Sequence, residues 1–389
     1  MSYPVSKPER KAPLLFEPIT LRGVTARNRI VVSPMCQFSS VDGGPTDWHL
    51  VNSGKYAIAG AGVVFTEETA VEARGRKTHE CAGLYSNSHI AGYRRITEFV
   101  RARGAVPAIQ LGHAGRKASC DSPWNLFRPL IESDLARGLA PWTCVSASAV
   151  PAPREGSPVP VALSVSEIGA VIGSWREAAR RSVDAGFDIC EIHGAHGYLM
   201  HQFLSPLANR RTDAYGGDLR GRMRFALEVV EAVRTVWPHD RPLFFRVSAM
   251  DGPGGMWSLE DTVELSRELV QRGVDVITCS SGGIGGPMST EVVPRVPGYH
   301  VPYCERVRRE TGARTCAVGL ITEPHHAEQI LQSGQADLIA LARELLYDPH
   351  WPVHAANALG LPGYLDVLPR EFSWWLKRRE QLRTLTADQ

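Results

Sequence analysis

The sequence predicts an α/β fold: a single-domain (β/α)8 barrel with a long insertion after the third strand and a C-terminal extension. Three observations carry that expectation. Eight short apolar runs are spread along the chain, helix-period segments lie between them, and 389 residues give room for one large barrel with insertions. The runs are almost continuously hydrophobic, as suits strands covered on both faces. A doubly wound open sheet is the structural competitor.

In chain order the predicted strands are Asn28–Met35, Gly62–Val71, Val106–His113 and Asp188–His196, then Pro242–Met250, Val274–Gly282, Thr315–Ile321 and Ala336–Leu345. Between them, Ser166–Asp184 repeats Ile168, Val171, Ile172, Trp175 and Ala179 at helical spacing. Ser164 with Glu167 matches a capping box, and Gly186 follows as a stop. In Arg222–Trp237, the residues Phe225, Val229, Val230, Val233 and Trp237 make one apolar stripe. Ser258 is a candidate cap for a helix ending near Gly273, and Thr322, Pro324 and Gly334 bound another. One stretch breaks the rhythm. Lys117–Val165 is rich in Pro, Ser, Ala and Trp, and loops of this length are usually lids or binding loops. Residues 118–165 are therefore expected to cover part of the barrel mouth, with a short hairpin, within a domain spanning 14–360. Residues 361–389, with Trp374 and Trp375, read as a docking tail.

Composition narrows the function. A formal net charge of +2 with scattered Lys and Arg gives no nucleic-acid face and no anionic-membrane patch. No apolar run is long enough to cross a membrane, and the opening MSYPVSKPERKAPLLFEPIT lacks the apolar core of a signal peptide. None of the 8 cysteines forms a CxxC pair, so neither a zinc ribbon nor an iron–sulfur cluster has support. A cytoplasmic setting is the expectation.

Barrel active sites lie at the C-terminal ends of the strands. Those ends carry Ser33-Pro34-Met35-Cys36, Glu68-Thr69, Gln110 with His113, and His193 with His196 and Tyr198. The later strands add Arg246, Ser280–Gly283, Gly319 and Arg343. There is no pair of facing acids for a glycosidase and no strand-end Lys for a Schiff base. The set suits an anionic ligand rich in hydrogen-bond acceptors. Glycine turns after strands six and seven (Gly283, Gly319) allow close backbone approach to a phosphate, and Arg343 after Ala342 could pair with it; a rim salt bridge is the other reading of that Arg. The HGAHGY turn (His193–Tyr198) could converge on a carbonyl oxygen, form half of a metal site, or be plain structure.

Five segments then occur in order: SPMCQFSS (33–40), QLGHAGRKA (110–118), EIHGAHGYLMHQFLSPLANRRTDAYGG (191–217), RVSA (246–249) and ARELLYDP (342–349). From about Leu14 to Pro349 the chain resembles the Old Yellow Enzyme family, in particular its bacterial cysteine-containing short ene-reductases. The resemblance implies a TIM barrel with non-covalent FMN and with NADPH or NADH as reductant. It also implies reduction of the C=C bond of an α,β-unsaturated carbonyl or related activated alkene, by ping-pong hydride transfer through the flavin N5. Ser33, Pro34, Met35 and Cys36 are expected along one edge of the flavin, Thr69 and Gln110 against its ring, Arg246 near N1, and Ala342-Arg343 at the phosphate. His193 and His196 are expected to hold the substrate carbonyl and Tyr198 to donate the proton. No resident metal is implied.

Two departures bear on specificity. Phe38 stands where the subgroup commonly has a substrate-contacting Tyr, and Ala342 replaces the common Gly before the phosphate Arg. The resemblance further implies a homo-oligomer, a dimer or tetramer, in which Arg370 is the candidate for an arginine reaching a partner's site. Sister FMN barrels fit less well: dienoyl-CoA reductases usually add an iron–sulfur motif, and dihydrouridine synthases need a basic face.

Overall fold

The computed structural model describes residues 12–252, 255–285 and 295–387. Its first strands, β1 (Ile19–Leu21) and β2 (Val24–Ala26), form an antiparallel hairpin. Eight parallel strands then close a barrel: β3 (Ile30–Val32), β4 (Val63–Ala70), β5 (Val106–Gly112), β8 (Ile189–Gly194), β9 (Leu243–Ser248), β10 (Val276–Ser280), β11 (Arg314–Ala317) and β12 (Leu338–Leu341). Between β5 and β8 lies the two-residue pair β6 (Val145–Ser146) and β7 (Val161–Ala162). Closure comes from β12 pairing with β3. Each of the eight predicted apolar runs coincides with one barrel strand, β11 beginning one residue before its run.

Strand alternation divides the core in two. Val31, Val63, Ala108, Ile189, Phe244, Val276 and Leu338 point inward and pack with Ile19, Leu21 and Ala26 of the hairpin. The hairpin therefore plugs the barrel's N-terminal end, where Gly23 N donates to the Asp240 carbonyl at 2.8 Å and Arg22 pairs with Asp275 at 2.6 Å. The intervening residues, among them Ile109, Leu111, Cys190, Ile192 and Phe245, face outward to the helices. With one end plugged and the wall sealed, the other end is left to hold a ligand.

The helices follow their sequence signals. α1 (Asp47–Ile58) and α2 (Ile90–Ala102) cover β4 and β5. α3 (Val165–Asp184) starts at the Ser164–Glu167 capping box and buries Ile168, Val171 and Trp175. A short α4 (Leu199–Leu204) precedes α5 (Leu219–Arg234), which is capped by Asp218 and buries Phe225, Val229, Val230 and Val233. α6 (Leu259–Gln271) begins at Ser258, whose side chain accepts from Asp261 N. α7 (Val301–Thr311), α8 (Pro324–Gln332), α9 (Arg343–Tyr347), α10 (Trp351–Ala358) and α11 (Arg370–Ala387) complete the chain.

One expectation needs correction. The run Ala336–Leu345 is not all strand: it ends at Leu341, Ala342 turns at φ −117°, ψ −97°, and α9 starts at Arg343. Beyond Leu341 only Leu345 is buried, a helical rather than an alternating pattern. The insertion does hold a short antiparallel turn, in which Asp121 N donates to the Arg128 carbonyl at 2.8 Å and Leu130 N to the Ser119 carbonyl at 2.9 Å around a Cys120–Pro129 bridge. β6 and β7 pair in parallel, because the chain between them crosses back over rather than turning directly. Two 3₁₀ turns, Pro123–Asn125 and Glu132–Arg137, make up most of its remaining regular structure. Among the described residues no helix is long and apolar enough to cross a membrane.

Candidate active site

At the C-terminal ends of the strands lies a cavity of about 910 Å³, a size usual for cofactor sites. Tyr198, His196, Arg246, Gly283, Gly319, Ala342 and Arg343 all line it. Ser33 extends β3 by donating its N–H to the Leu341 carbonyl at 2.8 Å, and the chain then runs through Pro34, Met35 and Cys36 beside the barrel mouth. Arg246, almost wholly buried, donates from Nη1 to Ser33 Oγ at 3.1 Å, while its Nε is buried without a partner. Gln110 donates to Glu191 Oε1 at 2.7 Å, and Thr278 donates to Glu191 Oε2 at 2.6 Å. Burial raises the Glu191 carboxyl above its ordinary range, against the pull of Arg246. Burial likewise pushes the Cys36 thiol up to about 12.

The histidine turn is built on unusual backbone. His196 has φ +60° and Gly197 φ +72°, and His196 N donates to Ser248 Oγ at 3.0 Å. His193 Nε2 stands 3.2 Å from His196 Nδ1, and His196 Nε2 lies 2.8 Å from Ser280 Oγ. His193 Nδ1 is buried without a partner. Desolvation, reinforced by Arg246, holds both imidazoles well below the usual histidine range, so both are neutral at pH 7. Tyr198 caps α4, with its ring 5.2 Å from that of His193.

Tyr198 is flanked by two ammonium groups. Lys77 Nζ lies 5.2 Å and Lys117 Nζ 5.5 Å from its ring centroid. Lys117 also donates to the His196 carbonyl at 2.8 Å and to the Gly283 carbonyl. Lys77 is paired with Glu68. That pairing follows from a bulge in β4 between Phe65 and Glu68, after which Glu68 stands in register with the inward-facing Gln110.

The same register turns Thr69 outward. It lies opposite Leu111 of the outer core, and its hydroxyl donates to the Glu67 carbonyl at 2.9 Å. The expectation that the Thr69 side chain meets the ring therefore fails on strand alternation; Glu68 holds the inward position. Phe38, at φ +52°, packs edge-on against Trp124 at 6.1 Å and Phe127 at 5.6 Å, which ties the turn after β3 to the insertion. Leu126 and Phe127, with Ala152, Pro153 and Arg154, form the insertion's part of the cavity wall.

At the opposite side, Gly319 (φ +125°) lines the wall beside Thr322, and Ala342 and Arg343 lead into α9. Gly283 groups with the histidine turn rather than with these residues, because a β-carbon on it would collide with the His196 backbone. Gly286, the last glycine of the SSGGIGG segment (280–286), lies outside the described residues. Arg370 is exposed at the start of α11.

The residues present fit FMN. A flavin needs a long cleft, a donor for its electron-rich ring edge, and a cation for its phosphate. The cavity, the unpartnered Arg246 Nε and Arg343 supply those three. Among the described residues no group of three or more His, Cys, Asp or Glu side chains could hold a metal ion. Sequence reasoning did not single out Lys77, Lys117 or Ser248 as functional, whereas Ser280 stood in the strand-end set. Lys117 lay in view within QLGHAGRKA, whereas nothing in the order of residues around Lys77 marks it, because its partner Glu68 sits on another element.

Residues 14–361 match the model of the NADH:flavin oxidoreductase / NADH oxidase family. An NADPH dehydrogenase of Geobacillus sp. (strain WCH70) is 43% identical over 350 residues, covering 89% of this chain and 95% of that one. An NADPH dehydrogenase of Bacillus cytotoxicus is 42% identical over 349 residues, covering 89% and 93%. Among solved structures, morphinone reductase in complex with tetrahydroNAD superposes with a TM-score of 0.72 at 27% identity, covering 89% of this chain and 91% of that one. The old yellow enzyme homologue of Zymomonas mobilis, 23% identical with a TM-score of 0.72 over 89% and 93% of the two chains, shares the fold. The chain belongs to the NADH:flavin oxidoreductase / NADH oxidase family, the Old Yellow Enzyme family, and is an FMN-dependent NAD(P)H oxidoreductase.

Proposed function

We propose that the enzyme reduces the C=C bond of α,β-unsaturated carbonyl compounds and related activated alkenes in a ping-pong cycle with NADPH or NADH. The observation that carries this reading is the neutral His193–His196 pair, 3.2 Å apart, with His196 and the Tyr198 phenol in the cavity wall. FMN, when bound, supplies the two-electron relay between nicotinamide and alkene. Ser33, Pro34, Met35, Cys36 and Gln110 are its lining on one side, and Gly319, Ala342 and Arg343 its phosphate end.

Each remaining role follows from the chemistry of the side chain. Arg246, buried with a free Nε, steadies negative charge that develops at the ring edge. When the acceptor's carbonyl oxygen takes the place of the His193 Nε2–His196 Nδ1 contact, the two rings donate N–H groups to it, which draws electron density from the β-carbon. Because both rings are neutral, they polarise that oxygen without protonating it. Tyr198 protonates the α-carbon: its O–H bond breaks, a C–H bond forms, and the oxygen keeps the electron pair. General-acid help of this kind is worth about 10²–10⁴-fold. Phe38 offers no hydrogen bond to substrate, so selectivity falls to Phe127, the member of the Phe38–Trp124–Phe127 cluster that lines the cavity.

The test is an anaerobic two-step assay on the FMN holoenzyme. NADPH or NADH should bleach the flavin absorbance, and 2-cyclohexenone, added after the nicotinamide is exhausted, should restore it. Bleaching by nicotinamide with no recovery on any enone, maleimide or nitroalkene would remove this reading.

A further inference from the structure

We propose that Lys77, held in place by Glu68, is the positioning cation that makes Tyr198 competent to donate its proton. The inference rests on the reduction proposed above and adds a residue pair to it.

Lys77 and Glu68 are 3% and 5% exposed, so the pair is withdrawn from water. Desolvating two opposite charges costs several kcal/mol per ion, and their attraction often does no more than offset that. An apolar pair at this place would serve the fold as well, so the charges call for another role. The local structure is arranged around them. The β4 bulge brings Glu68 inward, and only the missing side chain of Gly112 leaves space for its carboxylate. Lys77 arrives on the segment after β4 and is fixed from the other side, its carbonyl accepting from Cys120 N of the insertion at 2.8 Å. The two charges are not symmetric about their surroundings. One carboxylate oxygen, Oε1, is buried with no partner, while the ammonium lies over the Tyr198 ring at 5.2 Å and lines the cavity. The positive end of the pair thus faces the phenol.

Giving up a proton leaves Tyr198 as a phenolate in a dry site. Burial pushes its pKa well above the ordinary tyrosine value, and Lys77 is the largest influence opposing that rise. The second cation does not replace it. Lys117 already donates to two carbonyls, and burial, with Arg116 and Arg154 nearby, pulls its ammonium down to about 7. In the turnover step the phenol O–H breaks as the α-carbon C–H forms, Lys77 stabilises the phenolate left behind, and water later returns the proton. Lys77 touches no reacting atom; it acts through Tyr198.

Four holoenzymes test this: wild type, Glu68→Gln/Lys77→Met, Tyr198→Phe, and the triple variant. Changing both members of the pair avoids an unpaired buried charge, and FMN fluorescence reports whether each protein still holds its cofactor. Stopped-flow reoxidation by 2-cyclohexenone is read beside flavin reduction by NADPH. Losing one pKa unit of phenol acidity should slow reoxidation by up to about tenfold. That loss should appear when Tyr198 is present and vanish in the Tyr198→Phe background. Equal slowing in both backgrounds, or slowing of both half-reactions alike, makes the pair structural and overturns the proposal, as does no slowing at all. If Tyr198→Phe alone leaves reoxidation unchanged, the donor role of the phenol falls and this inference falls with it. A phenol effect without a pair effect defeats only the inference.

Discussion

Gly197 and Gly283 meet backbone to backbone: a β-carbon on Gly197 would collide with the Gly283 carbonyl oxygen. Lys117 bridges the same contact by donating to the His196 and Gly283 carbonyls. The turn that aims the histidines and the turn after β10 are therefore one unit, and Gly197 (φ +72°) is required twice over, by conformation and by space. Gly197→Ala should destabilise the protein by at least about 1 kcal/mol from the left-handed backbone alone, with the collision added. Gly169→Ala, on an open face of α3 with nothing near its β-carbon, should instead stabilise by up to about 1 kcal/mol. Thermal unfolding of the two variants checks the contrast.

Arg343 is the cation at the proposed phosphate end of the cavity. Removing a charge-assisted contact costs about 1.5–3 kcal/mol, so Arg343→Ala should weaken FMN binding by about 10- to 100-fold. Fluorescence titration of apoprotein with FMN measures it. An unchanged affinity would return Arg343 to the role of a rim residue.

His193→Ala removes one of two donors aimed at the acceptor's oxygen. Reoxidation by 2-cyclohexenone should slow by about 10²–10³-fold while reduction by NADPH changes far less, since the donors serve the carbonyl. Equal loss in both half-reactions would make the histidine pair structural.

Burial holds His193 and His196 well below 6.5, so the folded protein refuses protons that the unfolded chain accepts. Stability from these groups is present above about pH 6.5 and is lost as pH falls through that value. Melting temperature should drop between about pH 7.5 and pH 5, and His193→Gln should flatten part of that slope. Carbonyl binding should show no histidine ionisation over the same range.

Much of the barrel could be read directly from the chain. Each apolar run that becomes a strand is buried on both faces, and Ser164, Ser258 and Pro324 mark helix starts where the structure has them. Such signals are local: caps act within a turn and burial periodicity within one element. The run Ala336–Leu345 misled because Leu345 supports a helix as readily as a strand. The parallel pair β6 and β7 left no mark in the sequence, because strand direction depends on the path between the strands, which has no sequence period.

The site divides in the same way. The HGAHGY turn, Arg246 and the glycines at strand ends could be assigned to one mouth because every parallel strand of a closed barrel ends there. Which side chains face the cavity was a different matter. A single bulge in β4 shifts the alternation, sends Thr69 to the outer core and brings Glu68 inside. The meeting of Glu68, Lys77 and Tyr198 joins residues far apart in the chain.

By itself, the order of amino acids determined the eight barrel strands, several of the helices and the family, because hydrophobic period and turn chemistry are written in adjacent residues. The tertiary structure alone decided which charges pair, which histidine nitrogen is left free, and which residue of β4 looks inward. Those outcomes depend on register and desolvation, which exist only once distant segments have been packed together and water has been excluded.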